Sequence, residues 1–180
     1  AMAVGEKLGV NLVSAAERLK NFKPAPGRLR LIPGIKHTTL LDDSYNASPS
    51  AMRLALDTLK AITVPASAEK FAILGDMREL GAITRQAHFD IGGIISCGGI
   101  DWLITVGEAG AIISQGARAG GMPENKVFHF SSTREAGLFA QSKLEPHDVA
   151  LIKASRTMHF ETIVKELMAE PLKAEDLLVS

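Results

Sequence analysis

The sequence predicts an α/β domain, a mostly parallel sheet flanked by helices, and three observations carry that expectation. Short apolar runs such as Phe71 to Leu74, Trp102 to Val106 and Val149 to Ile152 alternate with longer stretches of helical spacing. The runs are apolar without alternation, as strands covered on both faces must be. Strand followed by helix followed by strand requires a crossover, which is how parallel neighbours are joined and which is right-handed.

The elements follow in order. Residues 1 to 22 carry helical patterning, with Leu8, Leu12 and Leu19 apolar and Gly9 dividing the stretch. Ala1-Met2-Ala3-Val4 reads as the middle of a helix, so residues 1 to about 25 are expected to be a helical remnant of a preceding domain. Lys23-Pro24-Ala25-Pro26-Gly27 then stiffens a connection, and the main domain is expected over 26–180. Leu29 to Ile32 and His37 to Leu41 read as two strands across a Pro33-Gly34 turn. Ser48-Pro49 opens a helix, with a hydroxyl to cap free amides and a proline suited to the first turn. Met52, Ala55, Leu56 and Leu59 mark its buried face. Further helices are expected over Thr84 to Cys97 and Ala109 to Ala117. Ser132-Thr133-Arg134-Glu135 reads as a capping box before another, and Phe160 to Met168 as the last helix. Val127 to Phe130 adds a strand.

Composition narrows the function. Apolar residues make up 46% and charged residues 22%, the proportions of an ordinary globular domain. Twenty basic residues balance twenty acidic ones, so no net charge favours nucleic acid or an anionic membrane. The apolar runs are too short to span a bilayer, no signal peptide is expected because Glu6 and Lys7 interrupt the early apolar residues, and the single Cys97 excludes an internal disulfide. A cytoplasmic protein is expected, with neither nucleic acid nor membrane as partner.

In parallel α/β sheets, ligands gather beyond the carboxyl ends of the strands. Three segments fall there. The first, Asp42-Asp43-Ser44-Tyr45-Asn46-Ala47-Ser48-Pro49, precedes a helix amino terminus, where amides and the helix dipole favour negative groups. Asp43 suits a ribose hydroxyl pair or a metal-bound water, and Tyr45 a base; the alternative is an Asx turn with Ser48 as cap. The second, Leu74-Gly75-Asp76-Met77-Arg78-Glu79-Leu80-Gly81, is either a loop approaching a ligand or a solvated loop with Met77 and Leu80 on the core. The third, Lys153-Ala154-Ser155-Arg156-Thr157, suits a carboxylate or phosphate; alternatively Ser155 or Thr157 caps a helix and the cations are solvated.

No Gly-x-x-x-x-Gly-Lys-Ser/Thr loop and no Gly-x-Gly-x-x-Gly after the first strand occurs. The histidines, His37, His88, His129, His147 and His159, lack metal-ligand spacing and are expected mostly at the surface, with only His88 near one of the three loops. No nucleophile elbow or Cys–His pairing is evident.

Taken together, Asp42 to Pro49, Leu74 to Met77 with Glu79 to Gly81, and Lys153 to Arg156 resemble, in order, three signatures of the Mur ligase family, in its D-alanyl-D-alanine-adding branch. Phe22-Lys23-Pro24 with Pro26-Gly27-Arg28-Leu29 is similar to the junction before that family's carboxy-terminal, Rossmann-like domain. The chain departs from the pattern at Ser48, where the family usually has Asn, and at Ala154 and Thr157, where it usually has Gly. The resemblance implies the carboxy-terminal domain of an ATP-dependent amide ligase that joins D-alanyl-D-alanine to UDP-N-acetylmuramoyl-tripeptide. It implies that Arg28 reaches the nucleotide phosphates, that Asp43 holds the ribose, and that Tyr45 and Asn46 border nucleotide and dipeptide. It further implies substrate binding by Asn46, Asp76, Ser155 and Arg156, with Lys153, Ser155 and Arg156 orienting the dipeptide and no catalytic residue in this chain. Mg2+ and the phosphate loop are expected in the parent's central domain, so the isolated chain is expected to be inactive. The domain of a related Mur or folylpolyglutamate-type ligase is an alternative, which Asn46 opposes because those usually carry histidine in that loop. A flavodoxin-like binding module is another. Asp43→Ala is expected to weaken nucleotide use with little effect on melting.

Overall fold

The computed structural model describes residues 2–179. Six strands form one sheet in the order β1-β2-β6-β3-β4-β5. They are β1 Arg30–Pro33, β2 Thr39–Asp42, β3 Lys70–Gly75, β4 Trp102–Val106, β5 Val127–Phe130 and β6 Val149–Lys153. All neighbours are parallel except β1, which pairs antiparallel with β2 and makes the sheet mixed at that edge. The hairpin expected across Pro33-Gly34 is therefore present, with its strands shifted by one or two residues towards the carboxyl end.

The helices are α1 Met2–Lys7, α2 Leu12–Leu19, α3 Pro49–Ala61, α4 Thr84–Ser96, α5 Glu108–Ala119, α6 Thr133–Lys143, α7 Glu161–Leu167 and α8 Ala174–Leu177. The short α8 lies beyond the point where the sequence reading placed the last helix. Each strand sends alternate side chains to opposite layers. Ala72 and Leu74 of β3 join Met52, Leu56 and Leu59 of α3, Ile91 and Ile95 of α4, and Ile113 of α5. Phe71 and Ile73 join Ala136 and Ala140 of α6 and Ile163, Val164 and Leu167 of α7. Two cores thus sandwich the sheet, and this explains why the strands read as unbroken apolar runs. The layer of α4 and α5 is unusually close. A β-carbon at Gly92 would fall 2.1 Å from Ile113 O, and one at Gly116 2.2 Å from Phe89 O.

Local signals set the helix starts. Ser48 Oγ accepts the Ala51 amide at 3.3 Å with Pro49 in the first turn, as expected. Ser132 Oγ accepts the Glu135 amide at 3.2 Å, but Glu135 returns to the Ser132 hydroxyl at 2.9 Å, not to the backbone amide of a full capping box. At the other end of the chain, α2 is capped by Asn11 yet buries no residue, and Leu12, Val13 and Leu19 are exposed.

The last strand in sequence, β6, inserts between β2 and β3. Helices α3, α4 and α5 cover one face while the returning α6 covers the other. The winding reverses at β6, and the crevice outside the carboxyl ends of β2 and β6 is where such sheets bind ligands.

Candidate functional site

That crevice holds a cavity of about 330 Å³, lined by Gly27, Arg28, Leu29, Asp43, Tyr45, Asn46, Ala47, Ser48 and Lys153 among others. Five residues singled out in the sequence, Arg28, Asp43, Tyr45, Asn46 and Lys153, meet here from three separate segments. Register explains part of this. Asp42 of β2 lies opposite Ile152 of β6, so the next residues along the two parallel strands, Asp43 and Lys153, emerge side by side. Lys153 Nζ sits 2.6 Å from Asp43 Oδ2 and donates to the Asn46 carbonyl at 2.7 Å. Lys153 is 2% exposed, so the alternative of a solvated cation is not realised for it.

The approach to Arg28 is built with equal care for backbone groups. Asp42 Oδ2 accepts the Gly27 amide at 3.1 Å and Asp43 Oδ1 accepts the Leu29 amide at 3.0 Å. Gly27 O accepts the Tyr45 amide at 3.0 Å. Gly27 has φ +67°, and a β-carbon there would lie 2.9 Å from Tyr45 N, so both conformation and space require glycine. Leu29 also has a positive φ, 52°, and stays there because its amide is held. The Arg28 guanidinium then lies over the Tyr45 ring, 4.2 Å from its centroid. Asp42 is fully buried. Burial pushes its carboxyl above the usual carboxylate range and the neighbouring Asp43 charge adds to this, while the Ser44 and Gly27 amides pull the other way. The Ser44 bond is an Asx turn, the alternative reading of this segment, made by Asp42. In this arrangement a guanidinium, a half-exposed aromatic ring and a carboxylate face one cavity. These groups suit a phosphate, a planar base and a sugar hydroxyl pair.

The remaining nominated residues sit at the ends of β3 and β6, outside that cavity. Asp76 is 3% exposed; its Oδ1 accepts the Gly110 amide at 2.9 Å, capping α5, and its Oδ2 lies 3.2 Å from Arg78 Nη2. Ser155 Oγ accepts the Arg78 amide at 2.8 Å, and the Ser155 amide donates to Asp76 O at 3.0 Å. The second and third sequence motifs are therefore stitched together. Neither Ser155 nor Thr157 caps a helix, so that alternative is not realised. Arg156 Nη1 pairs with Glu161 Oε2 at 2.9 Å. Met77 and Leu80 do pack on the core.

Sequence reasoning missed His88. It is completely buried, its Nε2 accepts the Met77 amide at 2.9 Å, and its Nδ1 lies 2.6 Å from Thr84 O. Those partners fix the proton on Nδ1. His37, His129, His147 and His159 are exposed, as expected. The available signal was helical spacing: His88 shares a face with Ile91 and Ile95. Among the described residues no group of three or more His, Cys, Asp or Glu side chains is placed to hold a metal ion. No helix among them is long and apolar enough to cross a membrane.

A cavity with these groups, at the carboxyl ends of the strands of a mostly parallel sheet, could accept a nucleotide, and comparison with known proteins gives the family. Residues 27–156 match the family described as Mur ligase, glutamate ligase domain, and the chain belongs to it. It is similar to the UDP-N-acetylmuramoyl-tripeptide--D-alanyl-D-alanine ligase of Bacillus subtilis, 33% identical over 96% of this chain and 37% of that protein. The Escherichia coli enzyme of the same name is 31% identical over 93% of this chain and 35% of its own length. A crystal structure of MurF from Acinetobacter baumannii superposes with a TM-score of 0.71 at 29% identity, covering 90% of this chain and 34% of that one. MurF from Thermotoga maritima, solved with ADP, shares the fold at a TM-score of 0.70 and 23% identity, over 97% of this chain and 37% of that one. The chain thus spans little more than a third of the relatives it matches. Family membership displaces the flavodoxin-like alternative.

Proposed function

We propose that this chain is the carboxy-terminal domain of an ATP-dependent amide ligase that adds D-alanyl-D-alanine to UDP-N-acetylmuramoyl-tripeptide in peptidoglycan synthesis, a cytoplasmic reaction. The observation that carries this reading is the match along 96% of the chain to a relative bearing that name. The Arg28–Tyr45–Asp43 cavity supports it. Residues 1–25 would close the preceding, ATP-binding domain. The exposed apolar residues of α2 support this, being the face such a helix turns to a neighbour.

In the parent, the tripeptide carboxylate is activated by ATP as an acyl phosphate, which the dipeptide amine attacks. This domain contributes by binding and orienting. Arg28, stacked on Tyr45, offers its guanidinium to nucleotide phosphates, and Asp43 accepts bonds from the ribose. By the family resemblance, Asn46, Asp76, Ser155 and Arg156 would meet the dipeptide. By the family resemblance, Mg2+ would be held by the parent's other domains; among the described residues no cluster is placed to hold it. The test is phosphate release by the full-length parent given ATP, the UDP-linked tripeptide and D-alanyl-D-alanine. Release that requires both peptide substrates is expected, with none from the 180-residue chain alone. Release with L-glutamate in place of the dipeptide would reassign the chain to a different branch of the family.

A further inference from the structure

Lys153 is closed off from solvent by its own contacts. Its side chain is 2% exposed, and two of the three ammonium donors are committed, to Asp43 Oδ2 at 2.6 Å and to the Asn46 carbonyl at 2.7 Å. A substrate carboxylate could reach it only by dislodging one of these. A buried ammonium without partners is strongly disfavoured, so the bonds are the condition for its presence there.

The contacts lead outward to the pocket. Asp43, held by Lys153 through one oxygen, uses the other to hold the Leu29 amide, and Asp42 holds the Gly27 amide. Consecutive carboxylates therefore grip the backbone on both sides of Arg28. The Asn46 carbonyl, on the opposite wall, is gripped by the same ammonium. A second effect is electrostatic. Asp43 faces a cavity suited to a polyanion, where its charge alone would repel phosphate; a cation 2.6 Å away offsets it.

We propose that Lys153 is a positioning residue for the nucleotide pocket, acting through Asp43 and the Asn46 carbonyl to set the Arg28–Tyr45 shelf, and is not a ligand of the dipeptide. The inference rests on the ligase reading above, and assigns the third sequence motif's lysine to the site of the first.

The experiment compares Lys153→Met, Asp43→Asn and the double variant in the full-length parent, measuring KM for ATP, KM for D-alanyl-D-alanine, kcat and melting temperature. Lys153→Met is expected to raise the ATP KM about tenfold or more, the scale of one lost charge-assisted hydrogen bond, and to leave the dipeptide KM within about twofold. Because the lysine acts through the aspartate, the double variant is expected to be no worse for ATP than the poorer single variant. A dipeptide KM that rises while the ATP KM holds would overturn the proposal, as would full multiplication of the two single effects. Should Lys153→Met prove too unstable to assay, the double variant, with no buried charge left unpaired, gives the same ATP-against-dipeptide reading. A wild-type parent that does not ligate the dipeptide at all would instead overturn the ligase reading, so the two failures are separable.

Discussion

Arg156 Nη1 lies 2.9 Å from Glu161 Oε2, and the other oxygen of Glu161 lies 3.0 Å from His159 Nδ1. The residue nominated to grip the dipeptide is thus oriented by the first turn of α7. A partly exposed ion pair of this kind contributes little more than about 1 kcal/mol to folding, so Arg156→Ala is expected to melt close to wild type. A bidentate grip on a carboxylate is worth more and depends on the planar fork, which lysine lacks. In the parent, both Arg156→Ala and Arg156→Lys are therefore expected to lose roughly 1.5–3 kcal/mol in dipeptide kinetics with the ATP KM unchanged. Normal dipeptide saturation in Arg156→Ala would leave the residue with a structural role beside Glu161.

The geometry around Asp43 changes what its removal should do. The sequence reading expected Asp43→Ala to spare the melting temperature. The structure corrects this, because alanine would strand the buried Lys153 ammonium and release the Leu29 amide. Breaking one side of a buried pair costs about 3–5 kcal/mol. Asp43→Ala is expected to lose stability and nucleotide affinity together, and Asp43→Asn less of the former. Thermal unfolding of the 180-residue chain reads the first loss without substrate; a melting temperature equal to wild type would show that the pair is not braced as described.

Much of this was legible beforehand, and the limits have physical causes. The parallel strands announced themselves because a strand covered on both faces has no polar alternation. The candidate motifs stood out because polar and charged residues gather just beyond strand ends, where such sheets bind ligands. Distances across the sheet were not legible. Nothing in the order of residues says that β6 inserts beside β2, and only that insertion joins Lys153 to Asp43. His88 was passed over for a related reason: its partner, the Met77 amide, is a backbone group with no signature in sequence.

His88 itself provides a third test. Replacing it with leucine keeps the volume but leaves the Met77 amide buried without an acceptor, at a cost of about 1–3 kcal/mol. The urea midpoint of the chain is expected to fall accordingly. The loop from Asp76 to Arg78 should also lose amide-exchange protection, since Met77 is one of its anchoring points. An unchanged midpoint would mean that the Met77 amide finds another partner at no cost.

The helix layer can be probed at Gly92. Alanine there places a methyl carbon 2.1 Å from Ile113 O and 2.5 Å from Ala117 N, both backbone atoms that no rotamer change can move. The helices α4 and α5 must separate, and overpacking of this kind costs about 1–3 kcal/mol or more. Gly93→Ala, one residue on with nothing within 4 Å, is the control and is expected to be neutral or mildly stabilising through helix propensity. Equal thermal melts for the two variants would contradict the close packing.

The last prediction concerns Asp42 and the direction of its pH dependence. Its carboxyl titrates above the ordinary value of 3.8, chiefly because burial disfavours the charge and secondarily because Asp43 stands beside it. Between that ordinary value and the higher folded one, the native state holds a proton that the unfolded chain has released. Stability therefore falls as pH rises through this window: the contribution is fully present below 3.8 and lost as pH passes the folded value. Most carboxylates in a folded protein behave in the opposite sense, so the bulk pH curve would mask it. Asp42→Asn removes this titration while leaving the others in place. The stability of wild type minus that of Asp42→Asn is thus expected to be largest near the acid end and to shrink as pH rises. Urea unfolding of both proteins in steps across the weakly acidic range measures it. A difference that grows with pH would mean that the Gly27 and Ser44 amides outweigh burial and hold Asp42 as an anion.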